Sequence, residues 1–299
     1  MNNFFDNIQI NINKLFEDKN TKKNITDLRR NIFLKFIVRY TVAILYKFGF
    51  YERLINAGII LGWFNEFKEY WSSQLKGRPI YINDFYFLLG IYRVKYQELS
   101  VEKNSSEQSF LESWQDNNSI YQLFGAVRRF SREPIYCYRY ERWINSGDKI
   151  LEYGCGIAPL ANSLLKYSIK SKLSIAIADI KQINSHFAKW RLSNTVKYID
   201  LLPYKKNITD KYDKIFLITV MEHLPNPLEV IMELKNSLND NGLIIFDYIL
   251  SEGTGLDTKE ALDQRNDVLD YINDNFVITY GTLNKNQSMG TTVIKKKNI

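Results

Sequence analysis

The chain has 299 residues, 45% of them hydrophobic and 24% charged, with a formal net charge of +7, the profile of an ordinary globular protein with room for one large domain or two modest ones. Two cysteines and two histidines exclude a disulfide scaffold and a His-rich metal site. The basic residues are scattered, with Arg29-Arg30, Arg128-Arg129 and Lys295-Lys296-Lys297 in separate regions, so no nucleic-acid module with interleaved aromatics is expected.

Met1 to Asp6 offers neither the basic flank nor the apolar stretch of a signal peptide, and a cytoplasmic location is expected. Residues 1–26 are polar and Asn/Lys-rich, a lead-in or a short helix. Asp27 to Phe48 is strongly apolar, with Lys35 and Arg39 spaced for one helix face, and Leu54 to Asn65 is a second uncharged run. Neither reaches the roughly 20 residues of a membrane span, so both read as buried helices. Ile82 to Leu99 reads as another helix, with Asn83-Asp84 at its start. The small, polar stretch Ser100 to Ser109 is the best linker. It divides an all-helical N-terminal module, 1–105, from a second domain, 106–299.

That domain opens with helical segments at Phe110–Trp114 and Ile120–Phe130, followed by the Tyr-rich Pro134–Trp143. Then comes Ile150-Leu-Glu-Tyr-Gly-Cys-Gly-Ile-Ala-Pro159: an apolar strand, an acid near its end, and two glycines leading to a helix over Pro159–Tyr167. Gly154 and Gly156 allow positive φ and close backbone approach to a ligand, and the helix start offers free N–H groups. Leu173–Asp179 reads as a buried strand ending in an acid, and Val196–Pro203 as a strand containing Asp200. Tyr212 begins a strand leading to Glu222-His223-Leu224. A helix over Asn226–Leu238 and a strand over Gly242–Tyr248 come next. Ser251–Gly255 reads as a flexible loop, and a polar helix from Asp257 to about Asn273 follows it. Asn275–Tyr280 and Thr291–Lys295 complete the count as an antiparallel hairpin. Five strands alternating with helices build a parallel sheet covered on both faces.

A dinucleotide fingerprint needs a third glycine three residues after Gly156, where this chain has Pro159. The pattern Glu152-x-Gly154-x-Gly156, with its ordered strand-end acids, resembles motif I of the class I S-adenosylmethionine (SAM) methyltransferases, although Ala158 replaces their usual third glycine. The resemblance covers roughly Trp143 to Ile299. It implies an α/β fold: a seven-stranded, Rossmann-like sheet with a terminal antiparallel hairpin, here preceded by the helical module.

It further implies SAM as cofactor. Glu152 is expected to face the methionine amine, and the backbone of Gly154, Cys155 and Gly156 to lie along the homocysteine moiety. Asp179 is expected at the ribose hydroxyls, Ile180 beside the adenine, Asp200 and Leu201 at its amino edge, and Thr219 in the turn after the fourth strand. His223 is the candidate base, its ordinary pKa lying near neutrality. Tyr136, Tyr138, Arg139, Tyr140 and Glu222 are candidate acceptor contacts. Metal-binding members of this superfamily carry Glu-x-x-Glu-His at the turn; Thr219 replaces the first Glu, so no metal is expected.

The expected reaction is methyl transfer to a small-molecule acceptor, at oxygen, on a sugar, natural product or lipid precursor. N- or C-methylation, a NAD-dependent oxidoreductase and an inactive methyltransferase-fold scaffold are the alternatives. No nucleic-acid partner is expected. Peripheral membrane contact and a homodimer built on the N-terminal module stay open.

Overall fold

The computed structural model describes residues 11–17, 32–98, 107–116, 120–250 and 256–297. Its strands are β1 Lys149–Tyr153, β2 Ser174–Asp179, β3 Lys197–Asp200, β4 Tyr212–Leu217, β5 Leu238–Tyr248, β6 Phe276–Tyr280 and β7 Met289–Lys296. They form one sheet in the order β3-β2-β1-β4-β5-β7-β6. The first five pair in parallel with their neighbours, and β7 runs antiparallel between β5 and β6. This is the sheet of the class I methyltransferase fold. In β2, Ile175 to Ala178 are buried without a break, the continuous apolar run of a strand covered on two faces.

The helices are α1 Ile12–Glu17, α2 Ile32–Lys47, α3 Phe50–Asn56, α4 Gly62–Ser73, α5 Ile82–Glu98, α6 Glu107–Gln115, α7 Ile120–Ser131, α8 Pro159–Tyr167, α9 Ile183–Leu192, α10 Pro227–Asn236, α11 Lys259–Asp263 and α12 Arg265–Asn275. On one sheet face Leu151, Ile215 and Phe246 pack against Ile231 and Leu234 of α10 and Ile272 of α12. On the other, Ile150, Ile177 and Phe216 meet Leu160 and Leu164 of α8 and Ala188 of α9. The expected helix from Asp257 starts instead after Thr258, whose hydroxyl accepts from the Ala261 amide at 3.1 Å, and it divides at Gln264 into α11 and α12.

The N-terminal helices add a third core. Phe67, Tyr70 and Trp71 form a buried stripe on α4, three and four residues apart. They share one cluster with Phe85 of α5, Phe124 of α7, and Phe187 and Trp190 of α9. The boundary near residue 105 falls outside the described residues, and helices from both sides of it contribute to this cluster. Arg39 of α2 turns inward and grips the Glu141 carboxylate, Nη1 to Oε1 at 2.7 Å and Nη2 to Oε2 at 2.5 Å, with both groups buried. The side chain of Lys35, its expected neighbour on the helix face, lies outside the described ones. Instead of being buried throughout, α2 leaves Phe33, Ile37, Tyr40 and Ile44 exposed, while Arg39, Val42 and Ala43 face inward. Among the described residues no helix is long and apolar enough to cross a membrane.

Candidate functional site

The order of the sheet reverses between β1 and β4, and in open α/β sheets ligands bind at the carboxyl ends of the strands beside such a point. A cleft of about 430 Å³ opens there. Its floor is the turn after β1. Gly154 holds φ +62°, and a Cβ built on it meets Val220 Cγ2 at 2.6 Å, so only glycine brings β1 and the turn after β4 this close. Gly156 follows at φ +51°.

Two buried carboxylates hold this turn. Asp179 Oδ2 accepts the Gly156 amide at 2.6 Å, while Oδ1 accepts the Ile180 amide at 2.8 Å and Gln182 Nε2 at 3.0 Å. Glu152 accepts the Leu160 and Ala161 amides at 3.1 and 2.8 Å, capping α8 from a distance. Burial outweighs these bonds and pushes Glu152 up to about 7 and Asp179 up to about 6. Both line the cleft.

Four buried polar atoms of cleft-lining residues have no hydrogen-bond partner among the described protein atoms: Trp114 Nε1, Gln122 Nε2, Gln182 Oε1 and Asn184 Oδ1. Orphaned polar atoms of this kind are rare and call for a partner. Two acids held near neutrality beside unpaired amides suit a ligand with a cationic end and several hydroxyl and nitrogen groups. The residues present therefore fit SAM.

Of the residues singled out in the sequence, Glu152, Gly154, Cys155, Gly156, Asp179, Ile180, Leu201, Thr219, Tyr136 and His223 line the cleft. Asp200 does not: it pairs in register with Asp179, but on the outermost strand β3, where it stands exposed outside the cleft while Leu201 turns inward. Of the Tyr-rich segment only Tyr136 reaches the wall. Tyr138 is exposed under the Arg39 guanidinium, Arg139 pairs with Glu133 at 3.1 Å, and Tyr140 is buried against Phe216. Glu222 is buried on the far side of its turn, against a small recess lined by Tyr248 and Arg265. Thr219 adopts φ 55°, unusual for a β-branched residue. Its amide donates to Asp247 Oδ1 at 2.6 Å.

A family model described as a methyltransferase domain matches residues 119–276, more than half of the chain. The chain belongs to that family. Among curated relatives, the ubiquinone biosynthesis O-methyltransferase of Glaesserella parasuis serovar 5 (strain SH0165) is 31% identical over 108 residues, 34% of this chain and 46% of that protein. The tRNA U34 carboxymethyltransferase of Nautilia profundicola is 25% identical over 108 residues, 35% of each chain. The chain thus spans half or less of the length of these two relatives. Among solved structures, the plantazolicin methyltransferase BpumL in complex with SAH aligns with TM-score 0.46 and 16% identity, covering 70% of this chain and all of that one. A SAM-dependent methyltransferase from Clostridium acetobutylicum aligns with TM-score 0.44 and 13% identity, covering 60% and 100%.

Several residues that shape this methyltransferase cleft carry no sequence signal. Arg191 of α9 donates to the carbonyls of Ile157 and Ala158 and so clamps the turn from behind. Gln122 and Asn184 approach at 3.5 Å across α7 and α9. The His223 ring meets Trp114 of α6 edge-on, centroids 5.6 Å apart and planes at 83°. Its Nδ1 lies 2.9 Å from Asp257 Oδ1. Only the fold brings these groups together.

Proposed function

We propose that this methyltransferase transfers a methyl group from SAM to a hydroxyl of a small or amphipathic acceptor. The observation that carries the reading is the paired Glu152 and Asp179 on the turn after β1, both buried and both at the cleft. Bound there, SAM supplies an electrophilic methyl group on a sulfonium whose departing thioether is neutral. Glu152 and Asp179 would hold it, with Gly154 and Gly156 allowing close backbone approach and Ile180 and Leu201 forming apolar wall. The remaining work of the chain is alignment and exclusion of water.

The acceptor side is walled by Phe110 and Trp114 of α6, Tyr121 and Phe130 of α7, and Tyr136. That aromatic wall, with Arg129 as a cation on it, suits a compact organic molecule better than a polynucleotide. His223, which lines the same cleft, would receive the acceptor's proton. The name of one relative, an O-methyltransferase, supports transfer to oxygen, whereas that of the other names a tRNA. Incubating the protein with methyl-labelled SAM and a low-molecular-weight metabolite extract tests the reading. Label is expected in a small product bearing a new O-methyl group, whereas label only in RNA or protein overturns it. Calorimetry with SAM against NAD separates it from an oxidoreductase.

A further inference from the structure

His223 Nδ1 faces two oxygens, the Leu256 carbonyl at 3.2 Å and Asp257 Oδ1 at 2.9 Å. A carbonyl and a carboxylate can only accept, so Nδ1 must carry the hydrogen. In the neutral ring the lone pair then sits on Nε2. The segment that supplies both acceptors is itself stitched to the His223 turn. The Thr258 amide donates to the Glu222 carbonyl at 3.0 Å, and the Thr258 hydroxyl donates to the Leu224 carbonyl at 2.6 Å. Residues 256–258 thus form a strap across residues 222–224, and the edge-on Trp114 ring flanks the imidazole.

We propose that Asp257 is a positioning residue, which locks His223 in the Nδ1–H tautomer and so makes Nε2 the base for the acceptor's proton. The proposal rests on the methyl-transfer reading and narrows its substrate class to an acceptor hydroxyl that gives up a proton on reaction. That proton passes to Nε2 as the oxygen bonds the methyl carbon. The carbon–sulfur pair leaves with sulfur, and the imidazolium returns its proton to solvent. The charges around the ring support the arrangement. Burial lowers the His223 pKa, but the Asp257 bond and the negative field of Glu222 and Asp257 outweigh it and leave the ring above its ordinary value. Asp179 and Asp247 also interact with it, and Arg129 acts on Asp247 from the opposite wall.

The chain holds its own control. Its other histidine, His186, has Nε2 at 3.1 Å from the Leu15 carbonyl and Nδ1 at 2.7 Å from the Tyr70 hydroxyl, which fixes the opposite tautomer, Nε2–H. With two histidines in 299 residues, imidazole nitrogen NMR on the full-length protein resolves both. One Nδ1–H and one Nε2–H ring are expected in the wild type. In Asp257→Asn, the His223 pKa should fall by about one pH unit, roughly a tenfold change in proton affinity, while His186 stays unchanged. Asp257→Glu should recover part of that shift. A wild-type His223 in the Nε2–H form overturns the proposal, as does an unshifted titration in a folded Asp257→Asn. SAM calorimetry on the same samples keeps the two readings apart: a wild type that ignores SAM removes the methyl-transfer reading, while the NMR result still decides the role of Asp257.

Discussion

The two walls of the cleft are built by different kinds of interaction. The strand-end wall is local. Glu152, Gly154 and Gly156 lie within five residues, and Asp179 reaches Gly156 from the next strand of the sheet. The helical wall is assembled over long distances: Trp114 of α6 meets the His223 ring, and Gln122 of α7 approaches Asn184 of α9, 62 residues away, while outside the cleft Arg39 pairs with Glu141, 102 residues away. A short motif can specify a cofactor turn, whereas an acceptor wall needs a finished fold.

The largest expected effect falls where the two walls meet, at His223 of the turn after β4 against Trp114 of α6. His223→Gln should lower kcat for the acceptor found by labelling by about 100- to 10,000-fold and leave SAM affinity within a few-fold. An unchanged kcat would remove His223 from the chemistry. Arg39→Met leaves a buried carboxylate without its partner, which costs about 3–5 kcal/mol. Urea unfolding should show that loss, and a variant as stable as the wild type would mean that α2 is docked by other contacts.

On the strand-end side the effects are smaller and concern binding. Asp179→Ala should weaken SAM by about 1–3 kcal/mol, tenfold or more, whereas Asp200→Ala should bind as the wild type does. Calorimetry that ranked the two in reverse would overturn the placement of both.

The same wall sets a pH dependence. Unfolded Glu152 titrates near 4.3 and folded Glu152 at about 7. Between those values the folded protein holds the extra proton, so its contribution to stability declines as pH rises and levels off above about 7. A cationic ligand favours the carboxylate. SAM binding should therefore release protons below about pH 7 and tighten as pH rises toward 8, with buffer-dependent calorimetric heats as the measure. Heats independent of buffer at pH 6.5 would break this link. The smallest effect expected is none: a chelator should leave turnover unchanged, since Thr219 interrupts the carboxylate spacing of the metal-binding turn.

The same contrast explains what was legible in the sequence. The α8 limits, Pro159–Tyr167, coincide with those read from Pro159 and the glycines before it, because helix starts are written in local turn chemistry. The succession of strands and helices along the chain follows from local periodicity, and the terminal pair from its Gly/Asn-rich connection, while their order in the sheet is what the family resemblance implies. Asp200 lies beyond the cleft because its strand is the outermost of the sheet, and a strand's place in the sheet order is not written in its own residues. Arg39 looks like part of a solvated stripe because its partner lies 102 residues away. Asp257 looks like the start of a helix, and the neighbouring Thr258, by taking the cap, leaves it to the imidazole 34 residues earlier.

The last two strands have a consequence for incomplete chains. β7 follows β6 in the chain but lies between β5 and β6. Until β7 docks, β6 therefore has no neighbour to pair with, and β5 keeps an open edge. An unpaired edge is a template for another chain, so a chain ending before Met289 should aggregate where the 299-residue chain does not, and light scattering of the two at equal concentration measures the difference.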